Sequence, residues 1–292
     1  MRRATMLCGL IAVGALAVGL RAFQPPAQQG PKVVEVEKVK DNLFMLKGGG
    51  GNTAVFVGTN GVIVVDAKNP GWGQPILDKI KELTPKPVTL LINTHTHGDH
   101  VSGDVEFPAT VDIVVQENTK TNMEKMDDFK GDKAKFLPKK TFKDKMTLGK
   151  GKDEIDLYYF GRGHTGGDTI IVFPALRVAH TGDLFAAKGT PLIDVNNGGS
   201  GVEYPRTLKR AAEGIKGVDV VIPGHSAVTD WKAFQEYGDF NQDFLSAVQR
   251  AFKEGKTAEE AAGSLKLPDQ YKDYGTRSLK DNVTKIYAEL KQ

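Results

Sequence analysis

Residues 93–100 read Asn-Thr-His-Thr-His-Gly-Asp-His and place three of the chain's six histidines, with an aspartate, within six positions. Imidazole and carboxylate at that density are zinc-type donors. His95 and His97 are two residues apart, so on an extended segment they point the same way and can hold one ion together with a third imidazole. Gly98 then lets the chain turn, so that Asp99 and His100 can aim at a second ion close by. Three later segments share this character: Gly163-His164-Thr165-Gly166-Gly167-Asp168, His180-Thr181-Gly182-Asp183 and Pro223-Gly224-His225-Ser226. Each follows a predicted strand and sets a His or Asp beside glycine, and strand ends are a usual place to mount a site. Five of the six histidines, His95, His97, His100, His164 and His225, fall in such loops. Scattered imidazoles would not gather this way, so the constellation predicts a metal centre.

The elements that must position these loops are mostly strands. Residues 33–46 alternate loosely and predict one strand, broken by the glycine run 48–51. Residues 53–57 and 62–66 are β-branched runs joined through Asn60-Gly61, a hairpin signal. Residues 74–83 carry apolar positions at helical spacing, with Pro75 near the start. Residues 88–93 form a buried strand that ends where the histidines begin. A strand over 111–115, a polar helix over 118–127 and a lysine-rich, solvated insertion over 130–145 follow. Strands over 156–160, 169–173 and 176–180, a helix over 204–215 and a buried strand over 218–222 complete a second half. From Trp231 onward the chain is helical, and Thr257-Ala258-Glu259-Glu260 has the form of a capping box. Two halves, each with hairpins and a final β–α unit, predict two packed sheets with helices outside.

The order His-x-His-x-Asp-His, then a distant His, an Asp and a final Gly-His resembles the metallo-β-lactamase-fold hydrolases over residues 33–230. The resemblance implies an αββα sandwich, two mixed β-sheets flanked by helices, with the site at one edge between the sheets. It implies that His95, His97 and His164 hold a first metal, that Asp99, His100 and His225 hold a second, and that Asp183 bridges both. The implied ions are two zinc ions, and a bridging carboxylate also admits iron or manganese. Two cations lower the pKa of a shared water, giving a hydroxide that attacks an electrophilic carbonyl. Asp99 then acts as a catalytic residue that orients the hydroxide as well as a ligand.

This chain departs from the β-lactam-hydrolysing members, which usually carry Cys or Ser where Asp183 stands. Asp at that position looks more like glyoxalase II-type thioesterases, lactonases and phosphodiesterases. Pro191-Leu192-Ile193-Asp194, followed by Asn197-Gly198-Gly199-Ser200, looks like a group of exported, quinoprotein-associated relatives. Other residues invite a role with a plainer alternative beside it. His180 is read as a supporting or surface imidazole. Asp66 either hydrogen-bonds near the histidine loop or simply closes a turn, and Asp168 either braces the loop of His164 or does the same. The glycine run 48–51 either closes over substrate or is a plain turn. Trp72 and Tyr204 could wall a substrate or pack, and Lys188 could bind a carboxylate or be solvated.

The chain has 292 residues, 40% of them hydrophobic and 26% charged, which allows a large buried core. Its start differs: Met1-Arg2-Arg3, an apolar run over 4–20, then Arg21-Ala22 predict a signal peptide over 1–22, with a Pro/Gln-rich linker over 23–32. An uncleaved anchor is the alternative. Cys8 lacks the small-residue context of a lipoprotein. Cleavage would remove Arg2, Arg3 and Arg21 and no acid, bringing the 39 Lys and Arg to parity with the 36 Asp and Glu. It would also remove the only cysteine, Cys8. A neutral mature chain argues against a nucleic-acid partner.

The sequence therefore predicts a periplasmic or secreted metal-dependent hydrolase domain over 33–230 with a helical extension over 231–292. It has no membrane contact after cleavage, and its oligomeric state is open. Its substrate is a small carbonyl compound: an ester, thioester, lactone or β-lactam. The competing readings are a phosphodiesterase on the same metals, a single-iron persulfide dioxygenase-like enzyme and a non-catalytic periplasmic accessory protein. The complete second ligand set opposes the single-iron reading.

Overall fold

The computed structural model describes residues 32–292; the predicted leader and residues 23–31 of the predicted linker lie outside them. The first sheet opens with four strands in antiparallel succession, β1 (Glu35–Lys40), β2 (Leu43–Lys47), β3 (Thr53–Val57) and β4 (Val62–Val65). Helix α1 (Gly73–Leu83) carries the chain back to β5 (Val88–Ile92), which lies parallel to β4. After the short helix α2 (Gly98–Val101), β6 (Asp112–Gln116) extends the parallel part; α3 (Glu117–Met123) and β7 (Lys140–Phe142) finish the sheet. The second sheet is β8 (Lys145–Leu148), β9 (Ile155–Tyr158), β10 (Ile170–Phe173) and β11 (Val178–Gly182) in antiparallel succession. Helix α4 (Tyr204–Gly214) crosses to β12 (Val220–Pro223), parallel to β11, and β13 (Thr229–Asp230) forms the edge. Three helices follow: α5 (Trp231–Lys253), α6 (Ala258–Ser264) and α7 (Leu279–Leu290).

Both faces of the central strands are covered, so their apolar runs are continuous and alternate residues serve different layers. Val62 and Val64 of β4 pack with Ile76 and Ile80 of α1, whereas Val65 turns toward Phe56, Ile92 and the second sheet. In the second sheet Ile171 and Phe173 meet the first sheet, and Ile170 and Val172 face Leu208 of α4 and Phe234 and Tyr237 of α5. The layers are thus helix, sheet, sheet, helix. A further cluster, with Phe244, Val248, Val283 and Ile286, joins α5 to α6 and α7.

Residues 33–46 form two strands rather than one, because Asp41 and Asn42 make a polar turn between β1 and β2. The lysine-rich stretch is solvated, yet it contains β7 and leads into β8, one edge strand of each sheet. Lysine on an edge strand discourages pairing with another chain. The capping box at Thr257 and Glu260 is present.

Candidate metal centre

The parallel pairs β4–β5 and β11–β12 end at the same side of the sandwich. Asp66 follows β4, the histidine loop follows β5, Asp183 follows β11, and His225 lies two residues beyond β12. His164 comes from the loop between β9 and β10. All seven predicted residues meet there. One ligand atom from each of His95, His97, His164 and Asp183 lies within 4.8 Å of the others, and Asp99, His100 and His225 form a second such group. The Asp183 carboxylate reaches both: its oxygens are 3.4 Å from His100 Nε2, 3.3 Å from His225 Nε2 and 3.7 Å from His164 Nε2.

Hydrogen bonds on the outer nitrogens fix the imidazoles. The Leu192 carbonyl can only accept, so His164 Nδ1, 2.7 Å away, carries the proton and Nε2 faces inward. Asp194 Oδ2 lies 2.8 Å from His97 Nε2, which leaves the lone pair on Nδ1. Asp66 Oδ2 does the same for His100 at Nδ1, 2.7 Å away. The Thr94 hydroxyl donates to Asp66, so it accepts from His95 Nδ1 at 2.9 Å. Lone pairs of His95, His97 and His164 therefore converge on one small volume, while His100 Nε2 is turned toward the second group. His97 Nδ1 and His164 Nε2 face each other at 2.9 Å, and His95 Nε2 is buried with no hydrogen-bond partner among the described residues. Facing lone pairs and an orphaned buried nitrogen fit a cation between them, and this partner arrangement is how metal-bound imidazoles are usually held.

The electrostatics separate the two groups. Burial opposes a charge on His100, but Asp66 and Asp183 outweigh it and hold the imidazole well above 6.5, so without a metal it is protonated. Burial, with His100 and His164 nearby, holds His95 well below 6.5 and neutral. Burial also opposes ionisation of Asp183, but the adjacent His100 and His225 outweigh it and keep the carboxyl well below its ordinary 3.8. Hydrogen bonds to Asp183 and Asp99 raise His225 to about 9, so without a metal this outer imidazole carries a proton. The centre opens to solvent on that side, where the His225 and Asp99 side chains are 37% and 32% exposed while His100 is fully enclosed.

Glycine makes room for these side chains. A β-carbon on Gly51 would sit 2.2 Å from His100 Cε1, and one on Gly224 would overlap Asp183 Oδ1 at 1.9 Å. The run 48–51 thus borders the site as a close-packed wall, not as an open turn.

Asp66 serves the histidine loop, accepting from the Thr94 backbone and hydroxyl as well as facing His100. Asp168 braces the next loop, accepting from the Thr165 N–H and hydroxyl. His180 stands outside both groups; it is buried, with Nε2 donating to the Asn52 carbonyl and Nδ1 accepting from Gly182 N–H. Tyr204 is buried, and its hydroxyl donates to the Asp183 and Leu184 carbonyls, so it packs rather than walling a substrate. Trp72 packs against Gly48 and Gly49. Lys188 is exposed and lines a separate cavity with Glu236, Asp239 and Tyr274. In the sequence Asp194 stands out only as the last residue of Pro191-Leu192-Ile193-Asp194. Its place beside His97 had one local signal, an acidic side chain that caps its own turn through the Asn196 and Asn197 N–H groups.

Comparison with known proteins identifies the architecture. Residues 46–227 match the model of the metallo-beta-lactamase superfamily. The chain belongs to that superfamily. It is a hydrolase, as its relatives are. A metallo-beta-lactamase type 2 from Elizabethkingia meningoseptica is 27% identical over 74% of this chain and 87% of its own. A hydroxyacylglutathione hydrolase from Nostoc punctiforme is 28% identical over 53% of this chain and 52% of its own. Among solved structures, the sec-alkylsulfatase Pisa1 from Pseudomonas sp. shares the fold with a TM-score of 0.73 and 16% identity, over 88% of this chain and 50% of that one.

Proposed function

We propose that this member of the superfamily is an exported hydrolase that holds two zinc ions and cleaves a small carbonyl substrate, a thioester, ester or lactone ahead of a β-lactam. The observation that carries it is the pair of ligand groups sharing Asp183, whose carboxylate lies between His164 on one side and His100 and His225 on the other. His95, His97 and His164 would hold one ion, Asp99, His100 and His225 the other, with Asp183 common to both. Two divalent cations there supply Lewis acidity and make water acidic enough to deliver hydroxide near neutral pH. The protein's part is orientation. Asp66, Thr94, Asp194 and the Leu192 carbonyl keep the imidazole lone pairs inward. Asp99, one-third exposed on the open side, can accept a proton from the attacking water and direct it toward a bound acyl group. A carboxylate at 183, where thiolate or hydroxyl serves the β-lactam-cleaving members, favours the thioester and lactone branch. Export rests on the basic, apolar and small-residue order over 1–22.

The test is metal content and turnover in one preparation, with the mature N-terminus read by mass spectrometry. The expected result is two equivalents of zinc, a chain beginning near residue 23, and faster hydrolysis of an S-acyl thioester than of a cephalosporin or a bis-aryl phosphodiester. One equivalent of iron without turnover would overturn this reading. Preference for the phosphodiester would keep the metals and replace the substrate class.

A further inference from the structure

Residues 191–201 do two things at once. On one side, the Leu192 carbonyl holds His164 Nδ1 and the Asp194 carboxylate holds His97 Nε2. The Asp194 N–H also donates to the His164 carbonyl at 2.8 Å. On the other side, the carbonyls flanking Leu192 belong to α7. Asn282 Nδ2 donates to the Pro191 carbonyl at 2.7 Å, and Lys285 Nζ donates to the Ile193 carbonyl at 2.7 Å. One turn further along, Glu289 accepts from Gly201 N–H at 2.7 Å and from the Ser200 hydroxyl.

Residues 282, 285 and 289 share one face of a helix at spacings of three, four and seven. Ile286, on the same flank, is so close to Gly201 that a β-carbon there would sit 2.5 Å from its Cγ1. Asn282 is fully buried, so its bond to Pro191 is made out of reach of water. Breaking such a buried bond leaves an unpaired polar group and destabilises the fold, so the contact constrains the segment. The superfamily match ends at residue 227, so α7 lies beyond the matched residues.

We propose that α7 is a positioning element for the first ligand group: Asn282, Lys285 and Glu289 hold the 191–201 segment in register, and through Leu192 and Asp194 they set His164 and His97. The inference extends the two-metal reading to the C-terminal helices. Its reach is selective, because His100 takes its partner from Asp66, which follows β4, and His225 makes no bond to the segment.

The experiment uses the full chain with Asn282→Ala, Glu289→Ala and Glu289→Gln, and with Val283→Ala as a control. Val283 is fully buried in the cluster that joins α7 to α5 and α6 and makes no hydrogen bond to the segment, so its truncation loosens the helix while leaving those bonds in place. Zinc affinity is measured against a chromogenic chelator, and backbone hydrogen exchange is followed over 191–201. Asn282→Ala and Glu289→Ala are expected to weaken the equivalent that His97→Ala abolishes by up to about tenfold, below the roughly 10–100-fold of a residue bonded to a ligand itself, with the other within about twofold. Exchange at Asp194 and Gly201 should quicken. Glu289→Gln should recover part of both effects, and Asp194→Asn combined with Asn282→Ala should be less than additive. Val283→Ala should lower the melting temperature and leave both affinities in place. Unchanged exchange over 191–201 in Asn282→Ala and Glu289→Ala would overturn the proposal even if the wild type bound no metal, an outcome that would separately defeat the two-zinc reading. Equal losses at both equivalents, or the same loss in Val283→Ala, would show a general effect of stability and overturn it too.

Discussion

His97 and His180 sit near the same strand ends, yet their ring nitrogens have different partners. His97 offers Nδ1 to the centre because Asp194 occupies Nε2, whereas both nitrogens of His180 are spent on the backbone of Asn52 and Gly182. His97→Ala should therefore lose one metal equivalent and at least about a hundredfold in turnover, since disturbing a ligand's partner alone costs 10–100-fold. His180→Ala should keep both equivalents and lose about 2–6 kcal/mol of stability, the cost of leaving two buried backbone groups unpaired at about 1–3 kcal/mol each. Metal analysis and urea denaturation of the two variants check this, and retention of metal by the His97 variant with its loss from the His180 variant would reverse the assignment. The ligands were legible in the sequence because donor chemistry is local. The Asp194 contact was not, because it joins residues 97 positions apart.

The glycine run between β2 and β3 takes its shape from the segment after β4. Lys68 is fully buried and donates to the Leu46 and Gly51 carbonyls at 2.9 and 2.7 Å; Gly51 in turn donates to the Asp99 carbonyl at 3.0 Å. Asp66 and Lys68 both adopt left-handed backbone, at φ of 65° and 67°. Non-glycine residues hold that conformation at a cost of about 1–2 kcal/mol, so the side-chain contacts must sustain it. Burial pulls the Lys68 ammonium from 10.5 down to about 8 against the opposing pull of Asp66 and Asp99. Between pH 8 and 10 the unfolded chain then holds a proton that the folded chain has released, so this group's contribution to stability rises with pH across that window. Relative to Lys68→Met, the wild type should gain about 2 kcal/mol between pH 8 and pH 10, read by denaturant titration at each pH. Parallel pH profiles for the two proteins would show that Lys68 stays charged when buried. The glycines announced a break in the strand; that a lysine beyond the next hairpin would fasten it was not visible without the fold.

Across the whole molecule, the two sheets bring four strand ends to one side, and the C-terminal helices close over the loop that leads from Asp183 to α4. The converging lone pairs leave the centre incomplete without a cation, so metal binding should be coupled to folding. Chelation should lower the melting temperature by roughly 10 °C, since a ligand at a thousand times its dissociation constant adds about 4 kcal/mol and each kcal/mol is worth about 2–4 °C at this size. Differential scanning calorimetry with and without chelator measures it, and a melting temperature indifferent to metal would mean that the ligand groups relax apart when empty.

The sequence by itself determined the donors, their order along the chain and the two-sheet architecture. Ligand type is written in residue identity, and the strands Val62–Val65 and Ile170–Phe173 are written in short, unbroken β-branched and apolar runs. Only the tertiary structure decided which nitrogen of each imidazole faces the centre, that Asp66 and Asp194 set two of them, and that α7 reaches the segment carrying Asp194. These are contacts between residues remote in sequence, each made by an ordinary carboxylate, amide or ammonium whose partner is fixed by packing.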